Sequence, residues 1–295
     1  MVNRSDIREF LSSRRARISP ETAGLPAYGG NRRVPGLRRE EVALLAGVSV
    51  DYYTRLERGN LGGVSERVLD ALARALQFDE AERAHLFDLA RSANATSRAR
   101  RRAAPQRVRP GLQRLLDSMT DAPAWIRNWR LDFLAANRLG YALHSELFAD
   151  PVRRVNSARF VFLNPRSHEF FPDWERSAND IVAVLRSEAS RNPYDKGLSD
   201  LVGELSTRSE LFRTLWAAHN VRLHRRGLKR IHHPVVGDLE LTYEAMEFPA
   251  DPGLTMFAYS AEPNSPSEDA LKLLASWAAT LELAEQPERY AADEA

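Results

Sequence analysis

With 295 residues, 43% of them hydrophobic and 28% charged, the chain has the mix of a soluble globular protein and the length for two cores of ordinary size. It has no cysteine, which excludes disulfides, thiolate nucleophiles and Cys-based zinc sites. No run approaches the roughly 20 apolar residues of a membrane span, and "MVNRSDIREF" lacks the apolar core of a signal peptide, so a cytoplasmic protein with no membrane partner is expected. The formal net charge of +2 conceals an asymmetry. Residues 1–110 hold 21 Arg against 13 Asp and Glu, whereas the remainder holds 21 Lys and Arg against 27. A basic first part wants a polyanion, and an Arg fork can bond two phosphate oxygens at once.

In chain order, "SDIREFLSSRRARI" spaces Ile7, Phe10, Leu11 and Arg14 as a helix behind Ser5. "SPETAGLPAYGGNRRVPG" is dense in Gly and Pro and reads as loop. "LRREEVALLA" is a helix stopped by Gly47. "VDYYTRLER" is the next, with Ser49 as N-cap, Asp51 in its first turn and Gly59 as its stop. "SERVLDALARALQF" puts Val68, Leu69, Leu72 and Leu76 on one stripe. "DEAERAHLFDLARSA" offers Asp79 as N-cap with Glu82 at the capping-box position. Residues 93–110 follow as an Arg-rich linker with no apolar period, either a solvated tether or a source of further phosphate contacts.

Beyond the linker the pattern becomes mixed. "AWIRNWRLDFLAAN" reads as a hairpin turning at Asn128 and Trp129, after which Asn137 caps a helix. From about 155 to 219 the apolar residues recur every three or four, which predicts a mostly helical insert. "LKRIHHPVVGDLELTYEAMEFPADPGLTMFAYSAEP" predicts three strands broken at Gly237 and "PADPG", and "PSEDALKLLASWAATLEL" a closing helix. The expected fold class is therefore an all-α N-terminal domain of five helices followed by an α+β domain, a five-stranded antiparallel sheet with a helical insert. The expected boundaries are 1–92, linker 93–110, 111–285 and a tail 286–295.

The stretch "VALLAGVSVDYYTRLERG" carries the first function. Two short helices crossing steeply need a small residue at the contact, a left-handed residue in the turn and apolar residues pinning the second helix. Ala43, Gly47, Val48, Tyr53 and Leu56 meet these needs. Val50, Asp51, Thr54 and Arg55 are left facing outward, as a helix laid in a major groove requires.

"REEVALLAGVSVDYYTRLERG" resembles the XRE-type, lambda-repressor-like helix-turn-helix, and "GLPAYGGNRRVPGLRREEVALLAGVSVDYYTRLERGN" resembles its MmyB-like branch. "NSARFVFLNP", "LVGELSTRSELFRTLWAAHNV" and "HPVVGDLELTYEAM" resemble that branch's PAS-like ligand-binding domain. The resemblance implies a bacterial transcriptional regulator, not an enzyme, acting as a homodimer on double-stranded DNA. It also implies a cavity for a small apolar or acyl ligand such as a fatty acid, with no required cofactor. By position, Val50, Asp51 and Arg55 would meet base edges, with Ser49 and Thr54 beside them, and Arg38 and Arg39 would meet phosphates. Arg55 would read a purine, Tyr52 could bond a phosphate, and Asp51 would either accept from cytosine or cap its helix. The sequence departs from the simple motif in its long loop before Arg38, where a Ser or Thr cap often stands. Arg32 and Arg33 of that loop would reach a phosphate or the minor groove.

For the second domain, Trp125, Phe160, Phe162, Trp174, Phe212 and Trp216 are candidate ligand contacts, as are Tyr243, Phe257 and Tyr259. Such aromatic residues, Phe171 included, line cavities as readily as they fill cores. Arg159, Arg127 or His219 would meet a ligand carboxylate. Of the four histidines between 219 and 233, His219 and His224 share no helical face and His232 and His233 alternate across a strand, so no metal site is expected. "HRRGLKR" could bind an acidic partner or be a solvated turn. The rival reading of the second domain is a packed dimerisation or protein-interaction module without ligand.

Overall fold

The computed structural model describes residues 4–26, 34–94, 107–149, 155–221 and 225–293, with side chains as far as 280. Its described residues form two compact units, one from 1–102, 182–206 and 210–223, the other from 103–181, 207–209 and 224–295. Residues 182–206 and 210–223, expected within the 111–285 domain, thus group with the first unit.

In the first unit, α1 (Arg4–Arg17) buries Ile7, Phe10 and Leu11, the stripe its three-and-four spacing dictates. The next helix, α2 (Arg39–Ala46), ends at Gly47, which adopts φ 65°, ψ 35°. In that left-handed turn the Val48 amide reaches the Ala43 carbonyl at 3.0 Å. An added Cβ at Gly47 would meet nothing within 4 Å, so glycine is needed there for its φ and not for space. Helix α3 (Val50–Glu57) opens on Ser49, whose Oγ accepts the Tyr52 amide at 3.1 Å. Ser65 caps α4 (Glu66–Ala75) in the same manner. Before α5 (Glu80–Asn94), Asp79 and Glu82 exchange bonds, the Glu82 amide donating to Asp79 Oδ1 at 2.8 Å and the Asp79 amide to Glu82 Oε2 at 3.2 Å. The helices close on one core of Phe10, Leu37, Val42, Tyr53, Leu56 and Leu72.

The second unit opens with α6 (Pro110–Ser118), a helix that begins on the last residue of the expected linker and was not foreseen from the sequence. Strands β1 (Ala124–Asn128) and β2 (Phe133–Ala136) form the expected hairpin, with an irregularity between Ile126 and Arg127. Asn137 caps α7 (Arg138–Leu143), its Oδ1 accepting the Gly140 amide at 2.7 Å. The helical insert follows as α8 (Ser145–Phe148), α9 (Ser157–Leu163), α10 (Ser167–Phe170), α11 (Trp174–Arg191), α12 (Lys196–Arg208) and α13 (Glu210–Ala217). Strands β3 (Arg226–His233), β4 (Gly237–Glu247) and β5 (Leu254–Ser260) and the long α14 (Pro266–Asp293) complete the chain.

The sheet is antiparallel in the order β2-β1-β5-β4-β3. Every residue of β1 is buried. Ala124 and Ile126 pack with Leu112 and Leu116 of α6, while Trp125 and Arg127, on the opposite side, meet Phe257. An interior strand covered on both faces explains why all five residues of β1 are buried, the polar Arg127 and Asn128 included.

The later helices of the first unit are joined to α1 and α5 by polar contacts. Arg191 of α11 pairs with Asp88 at 2.9 Å, and Ser190 Oγ lies 3.2 Å from His85 Nδ1. His219, with φ 52°, accepts Arg14 Nη2 on its carbonyl at 2.6 Å. Its Nδ1 receives Arg186 Nη1 at 3.0 Å, and because a guanidinium only donates, that nitrogen must be the acceptor. The ring proton therefore sits on Nε2 and is given to Glu9 Oε2 at 2.6 Å. Burial and the Arg186 charge push the His219 pKa down, which favours this neutral tautomer.

Candidate functional site

On α3 the burial pattern splits the helix. Tyr53, Leu56 and Glu57 are buried. Val50, Asp51 and Arg55 are exposed and Tyr52 and Thr54 half-buried, so the polar face expected to read DNA does face outward. The Arg55 guanidinium lies 4.8 Å over the Tyr52 ring, which orders it along the exposed face. The two roles left open for Asp51 separate here: the cap belongs to Ser49, and Asp51 stands exposed in the first turn.

Arg38 and Arg39 open α2 and both are exposed. Arg38 keeps its side chain at the surface near Glu40, while its amide donates to Glu41 Oε2 at 2.6 Å, so the cap is made without the Ser or Thr of the simple motif. Arg39 also helps to hold the motif together, because its Nε pairs with Glu57, a carboxylate 2% exposed that Arg15 Nε holds from the other oxygen at 2.7 Å. Glu57 escapes a reading of the sequence, since nothing local distinguishes a buried glutamate at a helix end from a solvated one. Arg32 and Arg33 lie outside the described residues.

The residues expected to line one ligand cavity fall into separate places. Arg159 and Phe160 line an open cleft of about 560 Å³ in the second unit, together with Leu147, Leu163, Arg166 and Arg208. Trp125, Tyr243, Phe257 and Tyr259 share a face of the sheet and pack tightly: Trp125 stacks on Phe133 at 4.6 Å and on Phe257 at 5.1 Å. Burial pushes the Tyr259 hydroxyl up to about 12 and keeps it protonated. Arg127 lies 4.6 Å over the Phe257 ring. Phe162 and Trp174 meet edge to face at 6.4 Å, and the Trp174 indole donates to Ser167 Oγ at 3.0 Å. Phe212, Trp216 and His219 belong to the first unit, where Phe212 stacks on Trp216 at 5.6 Å. They do not join the others.

Some cations were missed. Arg166 and Arg208 reach the cleft from positions far apart in sequence, which leaves no local signal. Lys229 had one: it alternates with Ile231 and His233 on the inward side of β3. Its ammonium donates to Ser177 Oγ at 2.6 Å and stands 4.2 Å over Phe171, and burial pulls its pKa down to about 8.

A helix-turn-helix carrying an exposed recognition face, followed by an α+β unit with an arginine-lined cleft, defines a DNA-binding regulator with a ligand-binding domain. Residues 4–86 match the family model described as a helix-turn-helix domain. Residues 108–274 match that of the MmyB-like transcription regulator ligand binding domain, and since that match spans more than half of the chain, the protein belongs to the MmyB-like transcription regulators. A comparison with curated proteins gives no match. Among the described residues no helix is long and apolar enough to cross a membrane.

Proposed function

We propose that the protein is a one-component sensor which binds a palindromic operator as a homodimer, with α3 in the major groove. Its signal is a fatty-acid-like molecule held in the second unit. The observation that carries the ligand class is the cleft beside α9. Its walls combine Phe160, Leu147 and Leu163 with Arg159, Arg166 and Arg208, a largely polar lining that brings three arginines to some apolar surface. Such a lining favours an acyl chain that ends in an anion over a neutral lipid. The ligand changes operator affinity only as far as it prefers one arrangement of the dimer.

The test is native mass spectrometry of gently purified protein, followed by titration of the delipidated protein with a long-chain carboxylic acid. A co-purifying acid and a tenfold loss of affinity in Arg159→Ala support the reading. Protein that carries no lipid and binds no acid overturns it. One observation favours the second reading, a ligand-free interaction module: the stack of Phe133, Trp125 and Phe257 fills the sheet face with side chains. Operator affinity measured with and without a long-chain acid separates the two readings, since a ligand-free module leaves it unchanged.

A further inference from the structure

A second cavity, of about 230 Å³, lies wholly within the first unit. Asp6 of α1, His85 of α5, Arg186 and Ala189 of α11, Leu198 of α12 and Trp216 of α13 are among its walls. It is distinct from the arginine-lined cleft, with which it shares no residue.

Arg186 is 4% exposed, which is rare for an arginine without a carboxylate in contact. Its Nη1 donates to His219 Nδ1, its Nη2 to the Trp216 carbonyl, and its plane lies 4.1 Å over the Trp216 indole. None of these partners is an anion. Its Nε is sealed from solvent and has no hydrogen-bond partner. A guanidinium buried on a cavity wall with only neutral groups in contact is poorly compensated for its desolvation, and an anion held in the cavity would offset that cost.

We propose that this cavity binds a small apolar monocarboxylate, its carboxylate on Arg186 and its hydrocarbon part against Trp216, Leu198 and Ala189. The planar fork suits a carboxylate. Burial pulls the Arg186 pKa down only to about 10, so the group remains cationic at neutral pH. Asp6 on the wall and Glu9 nearby favour the Arg186 charge through space and Arg14 opposes it, so the site tolerates little added negative charge and a second charge on an occupant is repelled. That excludes phosphate and dicarboxylates. The volume has room for roughly eight to ten non-hydrogen atoms, at the space a liquid gives each small molecule. Phe212 stacks on Trp216 at 5.6 Å and helps to fix the indole on the cavity wall.

The site also has a mechanical connection. Arg186 holds His219, and His219 holds Arg14 and Glu9 of α1. An occupant on Arg186 is thus one residue removed from a helix that packs against α3.

Isothermal titration of the full chain with phenylacetate and with its neutral isostere phenylacetamide tests the proposal. Phenylacetate is expected to bind at least tenfold more tightly than the amide, with succinate and inorganic phosphate silent. Ala189→Leu, which fills the cavity and leaves Arg186 in place, should abolish binding while the melting temperature stays within a few degrees. Arg186→Gln should lose at least tenfold; if it fails to fold, Ala189→Leu alone decides. Equal binding of acid and amide, no heat at millimolar acid, or full binding by Ala189→Leu overturns the proposal. Arg159→Ala, which tests the cleft of the second unit, is expected to bind phenylacetate normally, so the two sites stand or fall separately.

Discussion

Arg39, the first residue of α2, is ion-paired with Glu57, the last residue of α3, and so ties together the outer ends of the helix-turn-helix. Arg15 of α1 takes the other carboxylate oxygen, which makes Glu57 the shared anchor of three helices. Replacing it leaves two guanidinium groups without their counter-charge. Glu57→Gln is expected to lower stability by about 3 kcal/mol, the cost typical of removing one partner from a buried pair. Urea denaturation measures it, and a loss below about 1 kcal/mol would show that solvent takes the place of the carboxylate. Arg39→Ala should lower both stability and DNA affinity, whereas Arg38→Ala should lower DNA affinity alone and reduce the salt slope by about one.

Arg55 is exposed and contacts only Tyr52 among the interactions described for it, so its loss is expected to leave the fold intact. Arg55→Ala should relax preference at one base pair by about 1–3 kcal/mol. Selection from a pool of random duplexes with wild type and variant reads this directly. Recovery of the same motif with the same information at every position would remove Arg55 from the reading face.

Two glycines separate conformational strain from steric overlap. At Gly47, φ 65° with open space around the missing Cβ, alanine is expected to cost about 1 kcal/mol and asparagine less. At Gly59, φ 93°, an added Cβ would stand 2.5 Å from the Arg4 carbonyl oxygen, so alanine there should cost more and asparagine should give no rescue. Thermal unfolding of the four variants checks the order, and equal losses at the two sites would contradict it.

Acid should weaken the protein through histidines held neutral. Burial among Trp125, Phe133, Phe170 and Tyr259 pulls the His144 pKa from 6.5 down to about 4, and burial with nearby arginines pulls His85 down to about 3. As pH falls below 6.5 the unfolded chain takes up these protons before the native state does. Stability is therefore full above 6.5 and declines as pH drops through 5 toward 4, by roughly 3 kcal/mol from His144 alone. His144→Gln, whose amide can still donate to the Gly140 carbonyl that His144 Nδ1 contacts at 2.9 Å, should flatten that decline. Unfolding midpoints between pH 4 and 7 that run parallel in both proteins would show that other groups dominate.

What could be read in the sequence was local. The left-handed Gly47, the reciprocal caps of Asp79 and Glu82, the Asn137 cap and the three strands broken at Gly237 and after Pro249 each depend on neighbours within a few residues. So does the outward face of α3. What escaped depends on partners brought together by packing. The buried Glu57 is set by Arg15, 42 residues away, and the buried Arg186 by His219, 33 residues away. Phe212, Trp216 and His219 look like the other aromatic candidates in composition and spacing, yet helix packing carries them into a different unit from Arg159. The helix Pro110–Ser118 went unseen because its Arg-rich approach resembles solvated chain.

Because β1 lies between β2 and β5, the middle of the sheet joins Ala124–Asn128 to Leu254–Ser260 across more than a hundred intervening residues. During synthesis the five helices that end at Asn94 have left the ribosome long before β5 is made, and β1 waits with one edge unpaired until it arrives. The helices of the helix-turn-helix can thus take shape early, whereas the second unit completes its sheet only once Leu254–Ser260 has been made. Closing so long a loop should make the sheet the slow step of refolding.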